Sequence, residues 1–417
     1  MVEATGFWPR ARQAATGGGE AAVARLATLE GLLSPPPAAP GWVARALGAI
    51  AAHAPFLCRH LGRDPEALAW AVAPDAWAGG RPRAAMADHL ATWLTADPDE
   101  AAWMAAVRSF RNREMVRLTA RDLLGEATLE ESAGELSRLA EVVLEAAVAF
   151  VRTTLGRRFG ALGGAGAGGG FTVVALGKLG AAELNYSSDI DLLYLYGGEG
   201  ETTGGDAGSI SNHEWAVRAA KLLTQIVGHD TADGRLFRVD LRLRPDGNGG
   251  PLAFTPEGCG RYYEAVGQAW ERMALLRARP VAGDPAVGDA FRAEVEPFIY
   301  HRTIDPDLVE SVREVKRKIT AQLAVRRQRG FHVKLGTGGI REVEFFCQTL
   351  QVLHAGRDPR LRERNTFVLL DRLWEAGLID ADLHASQRAD YQLLRRVEHR
   401  LQMEEDRQTH LLPPEGE

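Results

Sequence analysis

From Phe171 to Leu243 the apolar residues of this chain gather into short β-type runs, whereas on both sides they recur at helical spacing. That switch of period limits the fold to a small α/β unit set between helical segments. Phe171–Leu176 is β-branched, apolar and bounded by glycines, Asp189–Tyr196 is a second such run, and Leu236–Leu243 a third. Upstream, Leu129–Phe159 reads as one long amphipathic helix, opened by acidic residues and closed by Arg157-Arg158, as the helix dipole favours. The expected fold is α+β and predominantly helical. We expect a helical region over 1–125, an α/β catalytic domain over 126–254 and a second helical domain over 255–417. With 417 residues, two to three domains are expected, at roughly 100–200 residues each.

The α/β unit carries the residues with chemical potential. On a strand, side chains alternate, so Asp189 and Asp191 share a face while Ile190 turns into the core. Paired carboxylates repel unless a cation lies between them, and hard oxygen ligands suit Mg²⁺ or Mn²⁺. Asp240, in the later run, is placed to complete the cluster. Two ions about 3.5–4 Å apart serve phosphoryl or nucleotidyl transfer by activating the attacking oxygen and stabilising the leaving one. An isolated Asp-x-Asp is usually a solvated strand end; here its context argues otherwise. The first strand ends at Gly177-Lys178, and Ser187-Ser188 precede the aspartates. A glycine-led turn admits phosphate oxygens to backbone amides, serine hydroxyls donate to them, and Lys178 adds a cation, unless it is a solvated turn lysine. Arg242, two residues after Asp240, shares its face. Arg244 does so too if the strand continues, and the guanidinium fork suits phosphate. Both are equally explained as exposed strand-end arginines.

Other glycine motifs are weaker. Gly164–Gly169 fits G-x-G-x-x-G but precedes its strand, which is the wrong geometry for a dinucleotide; it reads as a linker. Gly177-Lys178 lacks the remaining residues of a P-loop. Lys334–Glu342 combines a glycine loop with a helix start, which either holds an anion or makes a tight interhelical turn. Spacing assigns no role to Lys334, Arg341, Glu342 or Glu344. The net charge of −6 offers no basic surface for nonspecific nucleic-acid binding. Cys58, Cys259 and Cys347 match no zinc or disulfide spacing, and are read as reduced thiols in a cytosol. No apolar run is long enough to span a membrane, and no secretory leader is evident.

The glycine turn followed by Asp-x-Asp resembles the nucleotidyltransferase (polymerase-β-like) superfamily, with Lys178 departing from its second Gly or Ser. A longer set of segments is similar to one family, the bifunctional glutamine synthetase adenylyltransferase/adenylyl-removing enzymes. They are Gly177–Gly180 with Glu183–Leu192, Arg238–Pro245, Trp270-Glu271-Arg272, Arg277–Pro280, Lys334–Phe346 and Glu398–Gln402. The resemblance implies a nucleotidyltransferase α/β core flanked by N- and C-terminal helical domains. It further implies the half that removes AMP from a tyrosine of glutamine synthetase, since the chain has no room for both halves. Metal would be held by Asp189, Asp191 and Asp240; Gly177, Lys178, Ser187, Ser188, Arg242 and Arg244 would bind nucleotide or phosphate. Expected partners are adenylylated glutamine synthetase, PII signal protein in its uridylylated form, phosphate and ADP or ATP, with no nucleic acid and no membrane. The competing expectations are adenylylation from ATP, and a non-catalytic nucleotide- or PII-sensing module.

Overall fold

The computed structural model describes residues 6–33, 37–73, 77, 79–164, 169–231, 234–301, 310, 317, 330–404 and 409–412. The N-terminal region is helical: α1 (Phe7–Ala15), α2 (Gly19–Leu32), α3 (Gly41–His53), α4 (Pro55–Arg63), α5 (Pro65–Ala71), α6 (Arg83–Ala91) and α7 (Glu100–Leu123). The apolar pattern from Trp42 to Leu57 is divided between two helices. Pro55 disfavours helical backbone at Ala54, so α3 stops and α4 starts with the proline in its first turn.

Helix α8 (Leu129–Phe159) spans the expected interval because its start is chemically marked. The Thr128 hydroxyl accepts the Glu131 amide at 3.2 Å, and the Glu131 carboxylate accepts the Thr128 amide at 2.8 Å. This reciprocal cap satisfies two otherwise orphaned donors.

The α/β unit follows as β1 (Phe171–Ala175), α9 (Gly177–Gly180), β2 (Asp189–Tyr196), α10 (Asn212–Gly228), β3 (Arg238–Asp240) and β4 (Ala253–Phe254). Next come α11 (Pro256–Val266), α12 (Ala269–Leu275), β5 (Arg279–Gly283) and α13 (Pro285–Ile299). Strand order is β3-β2-β1-β5, with β4 also on β2. β1 is antiparallel to both β2 and β5, while β3 and β4 run parallel to β2. The sheet therefore extends beyond residue 254, the expected end of the α/β domain, because the edge of β1 is covered by Arg279–Gly283.

Alternation decides what each face meets. Ile190, Leu192 and Tyr194 enter the core shared with α8 and α10. Leu193 and Leu195 enter the one formed with α11–α13. Asp189 and Asp191 have the parity of Leu193, and so sit at the end of that second face.

The described C-terminal part consists of β6 (Phe331–His332), α14 (Ile340–His354), α15 (Thr366–Glu375), α16 (Ala381–Met403) and β7 (Leu411–Leu412). Its helices form a third apolar cluster around Leu370, Leu373 and Tyr391. Cys58, Cys259 and Cys347 are free and buried. No helix among the described residues is long and apolar enough to cross a membrane. The interior of the Gly164–Gly169 run lies outside the described residues.

Candidate active site

The parallel pairing of β2 and β3 sets Asp191 opposite Asp240 and Asp189 opposite Arg238. Adjacent strands lie about 4.8 Å apart, so register partners share a face at close quarters. Asp189, Asp191 and Asp240 thus come together at one corner of the sheet. Burial first, then the charges of Asp240 and Asp189, push the Asp191 carboxyl up to about 7, against a smaller opposing pull from Lys334 and Arg242. Such a carboxyl is short of positive charge.

The outer two aspartates are already partnered. Arg238 Nε donates to Asp189 Oδ1 at 2.6 Å. Arg242 Nε donates to both oxygens of Asp240, at 3.0 and 2.9 Å, and the Arg242 amide donates to Oδ1 at 2.8 Å. Burial would raise the Asp240 carboxyl, but these Arg242 contacts outweigh it and hold it below its ordinary value. Among the described residues no three His, Cys, Asp or Glu side chains stand in a metal-holding arrangement. The donor set still fits a hard divalent cation: it is all oxygen, and ionisation of its central member is opposed by burial and by the charge of its neighbours. Loading would require Asp189 and Asp240 to turn from their arginines.

Gly177 begins α9 with φ of +55°, and a Cβ there would stand 2.3 Å from Asp191 Oδ2. Only glycine lets the backbone pass this close to the carboxylate in this conformation. Ser187 is buried and its amide donates to Gln402 Oε1 of α16 at 3.0 Å. Ser188 is half-buried beside it.

Two expected phosphate ligands are placed otherwise. Lys178 is no solvated turn residue: it is 8% exposed, and its ammonium meets the Glu398 carboxylate of α16 at 2.9 Å. Burial, then Arg395, lower the Lys178 ammonium to about 8, while Lys178 and His410 help hold Glu398 ionised against its burial; at neutral pH both are charged. Arg244 is 6% exposed. The strand stops at Asp240, so its alternation never reaches residue 244, and the guanidinium ties down the carbonyls of Leu241 at 2.7 Å and Pro251 at 3.1 Å. Arg242 stays at the site, with its side chain 72% exposed.

Lys178 belongs to a larger buried network that clamps the loop between α9 and β2. Arg395 donates to the Glu183 carbonyl at 2.7 Å and to Asn185 Oδ1 at 2.6 Å. The Glu183 carboxylate receives the Thr366 amide and, at 3.2 Å, the Tyr391 hydroxyl. Glu344 pairs with Arg277 at 3.2 Å. Burial alone would raise its carboxyl, but Arg277, then Lys178, Arg395 and Lys334, bring it to about 2. Glu344 is therefore a committed ion-pair partner. Glu342 caps the preceding loop by accepting the Gly338 amide at 2.9 Å. A Cβ on Gly339 would lie 2.7 Å from the Val333 carbonyl, so Lys334–Glu342 makes a tight turn.

Arg238 and Gln402 lay in segments that carried the family resemblance, but neither was assigned a role; the contacts with Asp189 and Ser187 are set by the fold. The family profile for glutamate-ammonia ligase adenylyltransferase matches residues 44–294, which include the three aspartates and all five strands of the sheet. The chain belongs to this family. Among curated relatives, the bifunctional glutamine synthetase adenylyltransferase/adenylyl-removing enzyme of Thioalkalivibrio sulfidiphilus is 42% identical over 333 residues, 80% of this chain and 34% of that protein. The protein of the same name from Nitrosococcus oceani is 42% identical over 334 residues, 79% of this chain and 34% of its own length. That from Xanthomonas campestris pv. campestris is 38% identical over 368 residues, 88% of this chain and 38% of its own. The chain thus spans about a third of the length of these family members. Residues 313–417 also match the profile of GlnD PII-uridylyltransferase.

Proposed function

We propose that this chain removes AMP from the adenylylated tyrosine of glutamine synthetase by phosphorolysis, as the removing half of its bifunctional relatives. The observation carrying the reading is Asp191, half-buried on a strand between Asp189 and Asp240, with a carboxyl that calls for a cation. Inorganic phosphate attacks the α-phosphorus in line. The new P–O bond forms as the bond to the tyrosine oxygen breaks, giving ADP and a phenolate that takes a proton from water. Phosphate is already anionic at neutral pH, so no strong base is needed. A tyrosine oxygen, with an unperturbed pKa near 10, is a tolerable leaving group.

Asp189, Asp191 and Asp240 would hold Mg²⁺ or Mn²⁺, which would polarise the phosphoryl oxygens and offset charge on the leaving oxygen. Gly177 keeps the backbone close beneath Asp191, Ser187 and Ser188 offer donors beside Asp189, and the exposed Arg242 is able to swing from Asp240 to a phosphoryl oxygen. Lys178 and Arg244 act on the site only by holding its loops. The partners proposed are adenylylated glutamine synthetase and PII in its uridylylated form, the latter supported by family resemblance and by the uridylyltransferase-like C-terminal segment. The setting proposed is the cytoplasm.

The test is ADP release from adenylylated glutamine synthetase with and without phosphate, alongside unmodified enzyme with labelled ATP. Phosphate-dependent release, lost by at least about a hundredfold in Asp191→Asn, is expected. Incorporation of label without release would assign the opposite reaction, and an active Asp191→Asn variant would remove the aspartates from the mechanism.

A further inference from the structure

A second feature lies on the other side of Arg238. Helices α4 and α7 and the segment leading into β3 enclose a cavity of about 430 Å³. Five arginines line it, Arg59, Arg63, Arg111, Arg235 and Arg238, against two described carboxylates, Asp64 and Asp230. The two carboxylates offset part of this charge, Asp230 by pairing with Arg235 itself, and leave a cationic excess in the lining. Asp64 accepts the Ala67 amide at 2.9 Å at the start of α5, and Asp230 receives Arg235 Nε at 3.1 Å. The chain as a whole carries −6, so this excess of cations is local and concave, where low-dielectric walls strengthen their field.

The donors are held at different depths. Arg111 is 5% exposed, donates to Asn112 Oδ1 at 3.1 Å and lies 5.9 Å from the centre of the Phe237 ring. Arg59 and Arg63 stand exposed at the rim on α4. Ser109, Ser188 and Thr231 add hydroxyls to the wall.

We propose that this cavity is an anion site for a phosphate-bearing ligand, adjoining the aspartate cluster, with which it shares Ser187, Ser188 and Arg238, and coupled to it through Arg238. Guanidinium forks match phosphate oxygens in pairs, and the volume exceeds that of one phosphate group, so both free phosphate and a nucleotide are admitted. Arg238 is the partition: its Nε holds Asp189, another of its nitrogens donates to the Ser187 carbonyl, and it also faces the cavity. An anion bound there competes with Asp189 for this guanidinium and leaves the Asp189 carboxylate available to a cation. The site is read from the cavity alone and does not depend on phosphorolysis.

The experiment is calorimetric titration of the full chain in chelator at low salt, with sodium phosphate in one arm and ADP in the other. Without metal the aspartates repel anions, so the measured binding belongs to the arginines. Saturable binding is expected in at least one arm, and the arm that binds names the source. The double variant Arg59→Ala/Arg63→Ala changes two exposed positions and is expected to bind about tenfold more weakly, while Arg59→Lys/Arg63→Lys, which keeps the charge and loses the fork, recovers only part of the affinity. Three results overturn the proposal: no binding of either ligand, unchanged affinity in the alanine double variant, or binding that appears only with Mg²⁺. Failure of AMP removal in a protein that still binds phosphate would instead count against the transfer reaction.

Discussion

Replacing Gly177 by alanine probes the closest approach in the site, and the structure supplies the terms of its cost. The backbone at Gly177 has φ of +55°, a left-handed conformation that costs an L-residue roughly 1–2 kcal/mol. The added Cβ would also meet Asp191 Oδ2 at 2.3 Å and Cγ at 3.3 Å, so the carboxyl must rotate. An off-rotamer side chain adds about 0.5–1.5 kcal/mol. Gly125 is the control: it has φ of +73° where α7 ends, and a Cβ there would have nothing within 4 Å. Gly125→Ala should therefore show the backbone term alone. In urea unfolding followed by circular dichroism, Gly177→Ala should destabilise more than Gly125→Ala by about 0.5–1.5 kcal/mol. That excess should vanish in an Asp191→Ala background, because the carboxylate it displaces is gone. Equal costs for the two glycine variants, or a Gly177–Asp191 coupling within about 0.3 kcal/mol of zero, would refute the reasoning.

Asp191→Asn should stabilise the metal-free protein at pH 8 by about 2–4 kcal/mol, since the wild-type carboxyl titrates near 7 when folded and near 3.8 when unfolded. A raised folded value means stability present below pH 3.8 is lost as pH rises through 7, so the advantage of the variant should grow over that interval; a difference independent of pH would contradict this. Arg244→Ala should cost about 1–3 kcal/mol in chemical unfolding by removing a buried side chain and its bonds to two loop carbonyls, whereas Arg242→Ala, at an exposed position, should stay within about 0.5 kcal/mol of wild type. Glu398→Gln leaves Lys178 buried without its carboxylate and should cost about 3–5 kcal/mol, part of which the double variant Lys178→Met/Glu398→Gln recovers; a double variant less stable than the single one would remove the pair from the account.

Local signals are why several elements were legible before any coordinates. The β-branched run at 171–176 became β1, ending at Ala175, and the run at 189–196 became β2 over the same interval. The amphipathic run at 129–159, opened by acidic residues and closed by Arg157-Arg158, became α8 over the same interval. The third strand was read as 236–243 but pairs only over Arg238–Asp240, because the chain turns away from β2 at Leu241. β5 escaped the reading altogether. Arg279–Gly283 holds a proline and a glycine, which argue against a strand in isolation, and it becomes one only because β1 offers an unpaired edge.

The sequence by itself determined the period of each segment, the shared face of Asp189 and Asp191, and the family to which such a motif set belongs. Tertiary structure alone decided which cation meets which carboxylate. Lys178 and Glu398 are 220 residues apart and Arg238 and Asp189 are 49 apart, separations that no local rule connects. Whether a lysine or arginine beside an active-site turn serves phosphate or a buried ion pair depends on what packs over it. Here α16 covers Lys178 and the 241–251 turn encloses Arg244, while Arg242 is left in water beside Asp240.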